Sequence, residues 1–285
     1  MNTLVILAGG ASSRMKNSKG SEKLSARELA AANAGAKCLI VLEGDDRPVL
    51  DYLIKNAQKA GFTGIVLITS EENSAFKKWY GDKAWNEANL GLSIHFAVQK
   101  IPKSRIKPHG TADALHQALV QFPELQTEEF TVSNSDNLYS VKALLELQKS
   151  SAKNAFIAYD RAGLEFPAEK IARFALCKLN TENELLDIVE KPDLSQLEDY
   201  RDNQGVLRVS MNVFKFFGPE VFTYLENCPE HPDRKEKELP TAIMNMIHQS
   251  EARMLGIALK EHVPDLTTKA DIAVFRNSLR DQYES

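Results

Sequence analysis

Leu4-Val5-Ile6-Leu7-Ala8-Gly9-Gly10-Ala11-Ser12-Ser13-Arg14-Met15 is the stretch on which the rest of the chain depends. Four consecutive apolar residues run into two glycines, two serines and an arginine, which predicts a buried strand ending in a tight loop of small residues. Gly9 and Gly10 carry no Cβ, so the loop can bring backbone N–H groups close to an anion. Arg14 adds a planar fork of donors suited to phosphate oxygens. Gly-Gly after a strand is by itself an ordinary strand-to-helix turn. The Ser-Ser-Arg-Met that follows is what favours phosphate.

Working outward, strand text alternates with helix text. Residues 16–36 are Lys-rich and then Ala-rich, which predicts a loop with Lys16, Lys19 and Lys23 followed by a short helix through Ala30-Ala31-Ala32 and Ala34, ending near Gly35. Cys38-Leu39-Ile40-Val41-Leu42 predicts a buried strand, and Pro48 opens a helix whose apolar positions are Val49, Leu50, Leu53, Ile54 and Ala57. Strands are expected at 64–70, 94–99, 130–133 and 155–159, with helices at 112–121 and 141–150 between them. In the 94–99 strand His95, Ala97 and Gln99 share a face, and Thr111 is a fair N-cap for the helix after it. This alternation implies an α/β fold with a mostly parallel sheet. Asp136 stands just past the carboxyl end of a strand, where open α/β sheets bind ligands.

From about Arg161 the texture changes. Residues 171–179 and 185–189 predict an antiparallel pair leading into Glu190-Lys191-Pro192, and 193–204 read as a polar surface excursion. A strand at 206–217 breaks at Asn212. A charged loop at 229–238, a helix at 239–250, a strand at 252–259 and a helix at 270–280 complete the chain. One domain is expected over 1–285, in two parts of about 1–160 and about 161–285.

Composition excludes several classes. The 285 residues are 43% hydrophobic and 26% charged with net charge −4, ordinary for a globular protein with a large core. No basic stripe points to nucleic acid, and no uncharged run approaches the ~20 residues of a membrane helix. No cationic leader with a cleavage site opens the chain, so no signal peptide is expected. Cys38, Cys177 and Cys228 form neither metal-ligand spacing nor a disulfide framework, which favours a cytoplasmic setting. The six histidines show no ligand spacing.

Taken in order, Leu7-Ala8-Gly9-Gly10 with Arg14-Met15, Lys37 followed by Arg47-Pro48-Val49-Leu50, Gln99, Gly110-Thr111-Ala112, Asp136-Asn137, Glu190-Lys191-Pro192 and Asp265 resemble the sugar-phosphate nucleotidyltransferases, the NDP-sugar pyrophosphorylases. The likeness covers most of the chain, from Leu4 to about Arg280, and implies a nucleotide-binding half over about 1–160 and a sugar-binding half with the C-terminal helix over about 161–285. It implies a Rossmann-like, GT-A-type mixed sheet flanked by helices, with a small antiparallel subregion on the sugar side. It also implies a magnesium-dependent reaction joining a nucleoside triphosphate to a sugar 1-phosphate, with release of pyrophosphate. The chemistry suits these residue types. The attacking phosphate oxygen is already ionised at neutral pH, so positioning and charge neutralisation matter more than a general base.

By the resemblance, Leu7, Ala8, Gly9 and Gly10 cradle the triphosphate, Arg14 meets the departing pyrophosphate, and Lys37 meets the inner phosphates. About twenty residues separate Arg14 from Lys37, longer than the simplest family pattern, so Lys23 is a rival. The strand-turn-helix text that follows favours Lys37. Gln99, Gly110 and Thr111 match base-reading positions, Asp136 and Asp265 the magnesium ligands, Glu190 and Asn212 sugar contacts, and Lys191 the sugar phosphate. Ser135 stands where the family has glycine. Two other functions stay open: a cytidylyltransferase acting on a non-sugar phosphoester such as phosphocholine, and a catalytically silent NDP-sugar-binding regulatory paralogue. Homo-oligomerisation, the nucleobase and the acceptor cannot be read from the sequence.

Overall fold

An unbroken apolar strand has to be covered on both faces, and the first strand, β1 (Thr3–Leu7), meets that requirement with two separate cores. In the computed structural model, which describes residues 2–10, 12–19, 24–190, 192 and 194–283, Leu4 and Ile6 belong to one cluster. Val5, on the opposite face, belongs to the other.

The remaining strands are β2 (Gly64–Ser70), β3 (Ser93–Gln99), β4 (Glu129–Asn134), β5 (Ala155–Asp160), β6 (Ala175–Leu179), β7 (Leu185–Val189), β8 (Arg208–Phe217) and β9 (Leu255–Leu259). The helices are α1 (Ser13–Asn17), α2 (Ala26–Ala34), α3 (Leu50–Lys59), α4 (Ser74–Tyr80), α5 (Lys83–Leu90), α6 (Thr111–Gln121), α7 (Val141–Lys149), α8 (Ala168–Ile171), α9 (Gly218–Glu226), α10 (Leu239–Gln249) and α11 (Lys269–Tyr283). The sheet follows the order β3-β2-β1-β4-β8-β5-β9. Every strand on that path runs one way except β8, which is antiparallel to both of its path neighbours. β6 pairs with β8 and with β7, making a short antiparallel ribbon beside β8. This is the mixed, mostly parallel α/β sheet that the sequence predicts.

One face carries α3, α7 and α11, contributing Leu53, Ile54, Leu144, Leu147, Ile272 and Phe275. The other carries α6, α9 and α10, contributing Leu115, Leu119, Val221, Leu225, Ile243 and Met246. Burying a side chain of this size contributes about 1.5–3 kcal/mol, so the sandwich of helix, sheet and helix is what fixes the strand ends.

Two expectations are corrected. Residues 38–42 form no strand: Lys37–Leu39 is a 3-10 turn and Val41 makes only an isolated bridge to Pro48. Both edges of β1 are taken by β2 and β4, so this apolar run packs beneath them instead, with Cys38, Ile40 and Leu42 buried. The antiparallel pair also starts later than predicted, at Ala175, because 168–171 turn helical behind Pro167. Among the described residues no helix is long and apolar enough to cross a membrane.

Parallel register aligns the carboxyl ends of four strands. Leu7 pairs with Ile68 and Asn134, and Ser70 pairs with Gln99. The loops after β1, β3 and β4 therefore open on one edge of the sheet, where ligand clefts form in such folds.

At the outer edge, β3 has a strand neighbour on one side only. Its far side is met by two glutamines of α6. Gln121 accepts from the Val98 N–H at 2.9 Å and donates to the Val98 carbonyl at 3.0 Å. Gln117 does the same for Lys100, at 2.8 and 3.1 Å.

Candidate active site

A cleft of about 480 Å³ opens along that edge. Of the residues singled out from sequence, Leu7, Ala8, Gly9, Gly10, Arg14, Lys37, Gln99, Gly110, Thr111, Asp136, Glu190 and Asn212 line it. Lys23 and Lys191 lie outside the described residues.

The loop after β1 shows why each glycine stands where it does. The strand continues one step, the Ala8 N–H donating to the Ile68 carbonyl at 2.8 Å. A Cβ on Gly9 would sit 3.2 Å from the Thr69 carbonyl carbon, so this glycine serves close packing against the end of β2. A Cβ on Gly10 would meet nothing within 4 Å, so the open side of the loop is at Gly10. Ser12 adopts a left-handed backbone at φ 53°, uncommon for a residue with a side chain. Its hydroxyl oxygen accepts from the Lys37 N–H at 3.4 Å, tying the loop to the turn that carries the lysine. Arg14 follows on α1, exposed and facing the cleft.

Lys37 and Asp136 come together as an ion pair, both side chains 16% exposed. The 3-10 turn positions the lysine, and the end of β4 positions the carboxylate. Asp265 lies on the adjoining segment: the Leu266 N–H donates to the Asp136 carbonyl at 2.8 Å, and Asn137 bridges to Asp265. The Asp265 carboxylate pairs with Lys170 at 2.9 Å and accepts from the Thr267 hydroxyl at 2.7 Å. Thr267 reaches the cleft wall, whereas Asp265 is not one of the lining residues. Two carboxylates on hydrogen-bonded segments are hard oxygen donors of the kind a small divalent cation takes, with phosphate oxygens and water completing the shell. Among the described residues no group of three or more His, Cys, Asp or Glu could hold a metal. The buried Cys38 thiol, beside Asp136, is pushed up to about 12, chiefly by desolvation, and stays protonated.

At the other end of the edge, Gln99 is 4% exposed. Its amide group donates to the Gly110 carbonyl at 3.1 Å and to the Asp113 carboxylate at 2.9 Å. Gly110 has φ +108°, and a Cβ there would come within 2.2 Å of the Lys237 carbonyl oxygen. It is glycine because another stretch of chain crosses it. Thr111 is not the N-cap, a position held by Gly110. The Thr111 hydroxyl oxygen instead accepts from the Leu239 N–H at 2.9 Å, because α10 starts against α6 and offers an unpaired first-turn donor.

Facing these groups, Glu190 directly follows β7 and accepts from Arg234 at 2.9 Å. Asn212 interrupts β8 in a left-handed conformation at φ 59° and points its exposed side into the cleft. The buried Tyr139 hydroxyl braces this kink from beneath, 2.6 Å from the Met211 carbonyl and 3.2 Å from that of Asn212. The sequence break at Asn212 is thus a backbone kink aimed at the site.

The charged loop at 229–238 is where sequence reasoning fell short. Read as a plain loop, it folds over the cleft, and Glu236 and Glu238 line the wall beside Lys107. Lys237 clasps the base of α6, donating to the His109 carbonyl at 2.7 Å and accepting from the Ala112 N–H at 3.0 Å. Arg234 bridges Glu190 and Glu238, and His109 lies 2.7 Å from Glu230. The only sequence signal was Pro240, whose place in a first turn ends the loop at a helix start.

The model of the family described as Nucleotidyl transferase matches residues 27–260. The small subunit of a chloroplastic/amyloplastic glucose-1-phosphate adenylyltransferase from Triticum aestivum is 27% identical over 199 residues, 68% of this chain and 38% of that protein. Glucose-1-phosphate adenylyltransferases from Rhizobium radiobacter and Agrobacterium fabrum are each 24% identical over 215 residues, 74% of this chain and 46% of theirs. The chain thus spans less than half the length of these relatives. A solved UDP-glucose pyrophosphorylase, complexed with UDP-glucose, superposes with TM-score 0.69 at 15% identity, covering 99% of both chains. At that identity the likeness is one of fold.

Proposed function

Since the chain belongs to the nucleotidyl transferase family, we propose that it joins a nucleoside triphosphate to a sugar 1-phosphate, yielding a nucleotide-sugar and pyrophosphate. The observation that carries this reading is one cleft lined by Gly10, Arg14, Lys37, Asp136 and Gln99 on one wall and by Glu190 and Asn212 on the other. Triphosphate, base and polyol each have a chemically suited partner there.

A sugar-phosphate oxygen forms the new bond to the α-phosphorus. The bond from that phosphorus to the β-phosphate oxygen breaks, and its electron pair leaves with pyrophosphate. No proton need be removed from the nucleophile, so the work is alignment and charge neutralisation. The Gly9-Gly10 loop orients the triphosphate, and Arg14 meets the charge growing on the leaving group. Lys37, released from Asp136 toward phosphate, neutralises the reacting centre. Glu190 and Asn212 accept and donate hydrogen bonds to sugar hydroxyls, and Lys191 is assigned to the sugar phosphate. Asp136 and Asp265 would hold magnesium, which supplies further neutralisation of the phosphates when bound.

A phosphocholine acceptor is the weaker alternative. Quaternary ammonium groups are recognised by aromatic faces, and no described residue lining the cleft is aromatic. The test is a pyrophosphate-release matrix of ATP, GTP, CTP, UTP and dTTP against several sugar 1-phosphates and phosphocholine, with magnesium. Turnover is expected for at least one sugar 1-phosphate. Nucleotide binding without turnover across the panel would point to a silent nucleotide-sugar binder instead.

A further inference from the structure

Gln99 lines the cleft, but its amide nitrogen is fully occupied inside the protein. One N–H goes to the Gly110 carbonyl at 3.1 Å, the other to Asp113 Oδ2 at 2.9 Å. Both partners only accept, since a backbone carbonyl and a carboxylate have no hydrogen to give. The amide therefore cannot turn over without setting oxygen against oxygen, which would leave polar groups unpaired in a site where Gln99 is 4% exposed. Its Oε1 is the atom left for the cleft, and that end of the site offers an acceptor and no donor from this side chain.

Asp113 does not line the cleft. It stands behind Gln99 and is itself held in place. The Gln117 amide, one helical turn on along α6, donates to the same Oδ2 at 2.9 Å. Gln117 in turn is fastened to both backbone groups of Lys100, at 2.8 and 3.1 Å. The i,i+4 spacing of Asp113 and Gln117 puts both on the face of α6 that meets the end of β3. His109 Nδ1 lies 3.8 Å from the other carboxylate oxygen. The chain of contacts runs from the backbone of Lys100 through Gln117 and Asp113 to the Gln99 amide, and ends at the cleft.

We propose that Asp113 is a positioning residue for nucleotide selection, which locks the Gln99 amide so that its carbonyl oxygen faces the nucleobase and accepts from a base N–H. This rests on Gln99 being the base-facing residue of the nucleotidyl-transfer site. An amide free to flip could pair with a donor or an acceptor edge, and so would discriminate poorly between bases. A locked one rejects any edge that presents a lone pair there, because two facing acceptors are left unsatisfied.

Three variants and one double variant test this by steady-state kinetics with the five common triphosphates. Asp113→Leu keeps the branched shape and the number of heavy atoms but removes the acceptor. It is expected to raise KM for the preferred triphosphate about tenfold and to shrink its kcat/KM lead over the next one by a similar factor. Its kcat should hold within about threefold, and KM for the sugar 1-phosphate should not move. Asp113→Asn keeps one acceptor oxygen and is expected to restore selectivity to within about threefold of the parent. Gln99→Ala should lose selectivity outright, and Asp113→Leu added to it should cost nothing more, because residues acting through one group are not additive. Thermal midpoints of all variants are measured alongside. Additive losses in the double variant, or parental selectivity in a folded Asp113→Leu, would overturn the role of Asp113. Unchanged selectivity in Gln99→Ala would take Gln99 away from the base and the proposal with it. Full turnover with altered selectivity limited to Gln99→Ala would leave nucleotidyl transfer standing while refuting the lock.

Discussion

The two walls of the cleft are built by different means. The wall proposed for the nucleotide consists of the 3-10 turn at Lys37 and of loops at the aligned ends of β1, β3 and β4, held in parallel register. Gly9, Gly10, Gln99 and Asp136 sit within a few residues of a strand whose neighbours fix it, and Lys37 is brought to them by the 3-10 turn tied to the β1 loop through Ser12. The acceptor wall is assembled from pieces far apart in the chain: the end of β7, the kink in β8 and the loop at 229–238. These are joined by the Arg234 fork between Glu190 and Glu238. One wall inherits its geometry from the sheet, and the other from exposed ion pairs and two backbone clasps. Exposed pairs contribute only about 0–1 kcal/mol each, so the part of this wall held by Arg234 can change its fit at little cost to the fold, whereas Asn212 stays fixed in β8 above Tyr139.

The largest expected effect is on the rigid wall. Asp136→Asn leaves shape intact but removes the charge facing Lys37, and kcat should fall about 10³-fold in the pyrophosphate-release assay. Rates close to the parent would take Asp136 out of the reacting centre. The seam between the walls comes next. Gly110→Ala forces a side chain into a left-handed position against the Lys237 carbonyl oxygen. It should cost about 2–3 kcal/mol of stability in urea unfolding and weaken binding of both substrates. An unchanged midpoint would mean that the loop at 229–238 can lift off freely. Smallest is Glu190→Gln on the soft wall, expected to raise KM for the sugar 1-phosphate about tenfold while leaving KM for the triphosphate alone. A matching rise in both would erase the distinction between the walls.

That distinction also sets what the sequence could reveal. The strand ends of the nucleotide wall were legible because continuous burial writes itself as unbroken apolar runs, and the residue after such a run has one place to be. Gly9 was found that way, Asp136 stood out as an acidic residue just past a strand end, and Gln99 came from the family resemblance. The run at 38–42 looked the same and was no strand, since nothing in its composition tells that β1 already has two partners. Thr111 carried a capping residue's chemistry but spent it on Leu239, 128 positions away. For Glu236 and Glu238 the sequence offered only Pro240, which marks where the loop ends and not where it lies, because what brings them to the cleft is the clasp of Lys237 on α6. Gly110 was legible as a required glycine, though for room that the protein itself fills.

The glutamine amides along β3 carry a consequence for how this molecule meets its own copies. A bare outer strand is a template on which a second chain can extend the sheet, and proteins must blunt it. Here Gln117 and Gln121 present alternating acceptors and donors to Val98 and Lys100, doing the work of a missing neighbour strand. The stretch of edge beside the cleft is thereby closed to strand addition. A second copy could extend the sheet at Val98 and Lys100 only by displacing both amides.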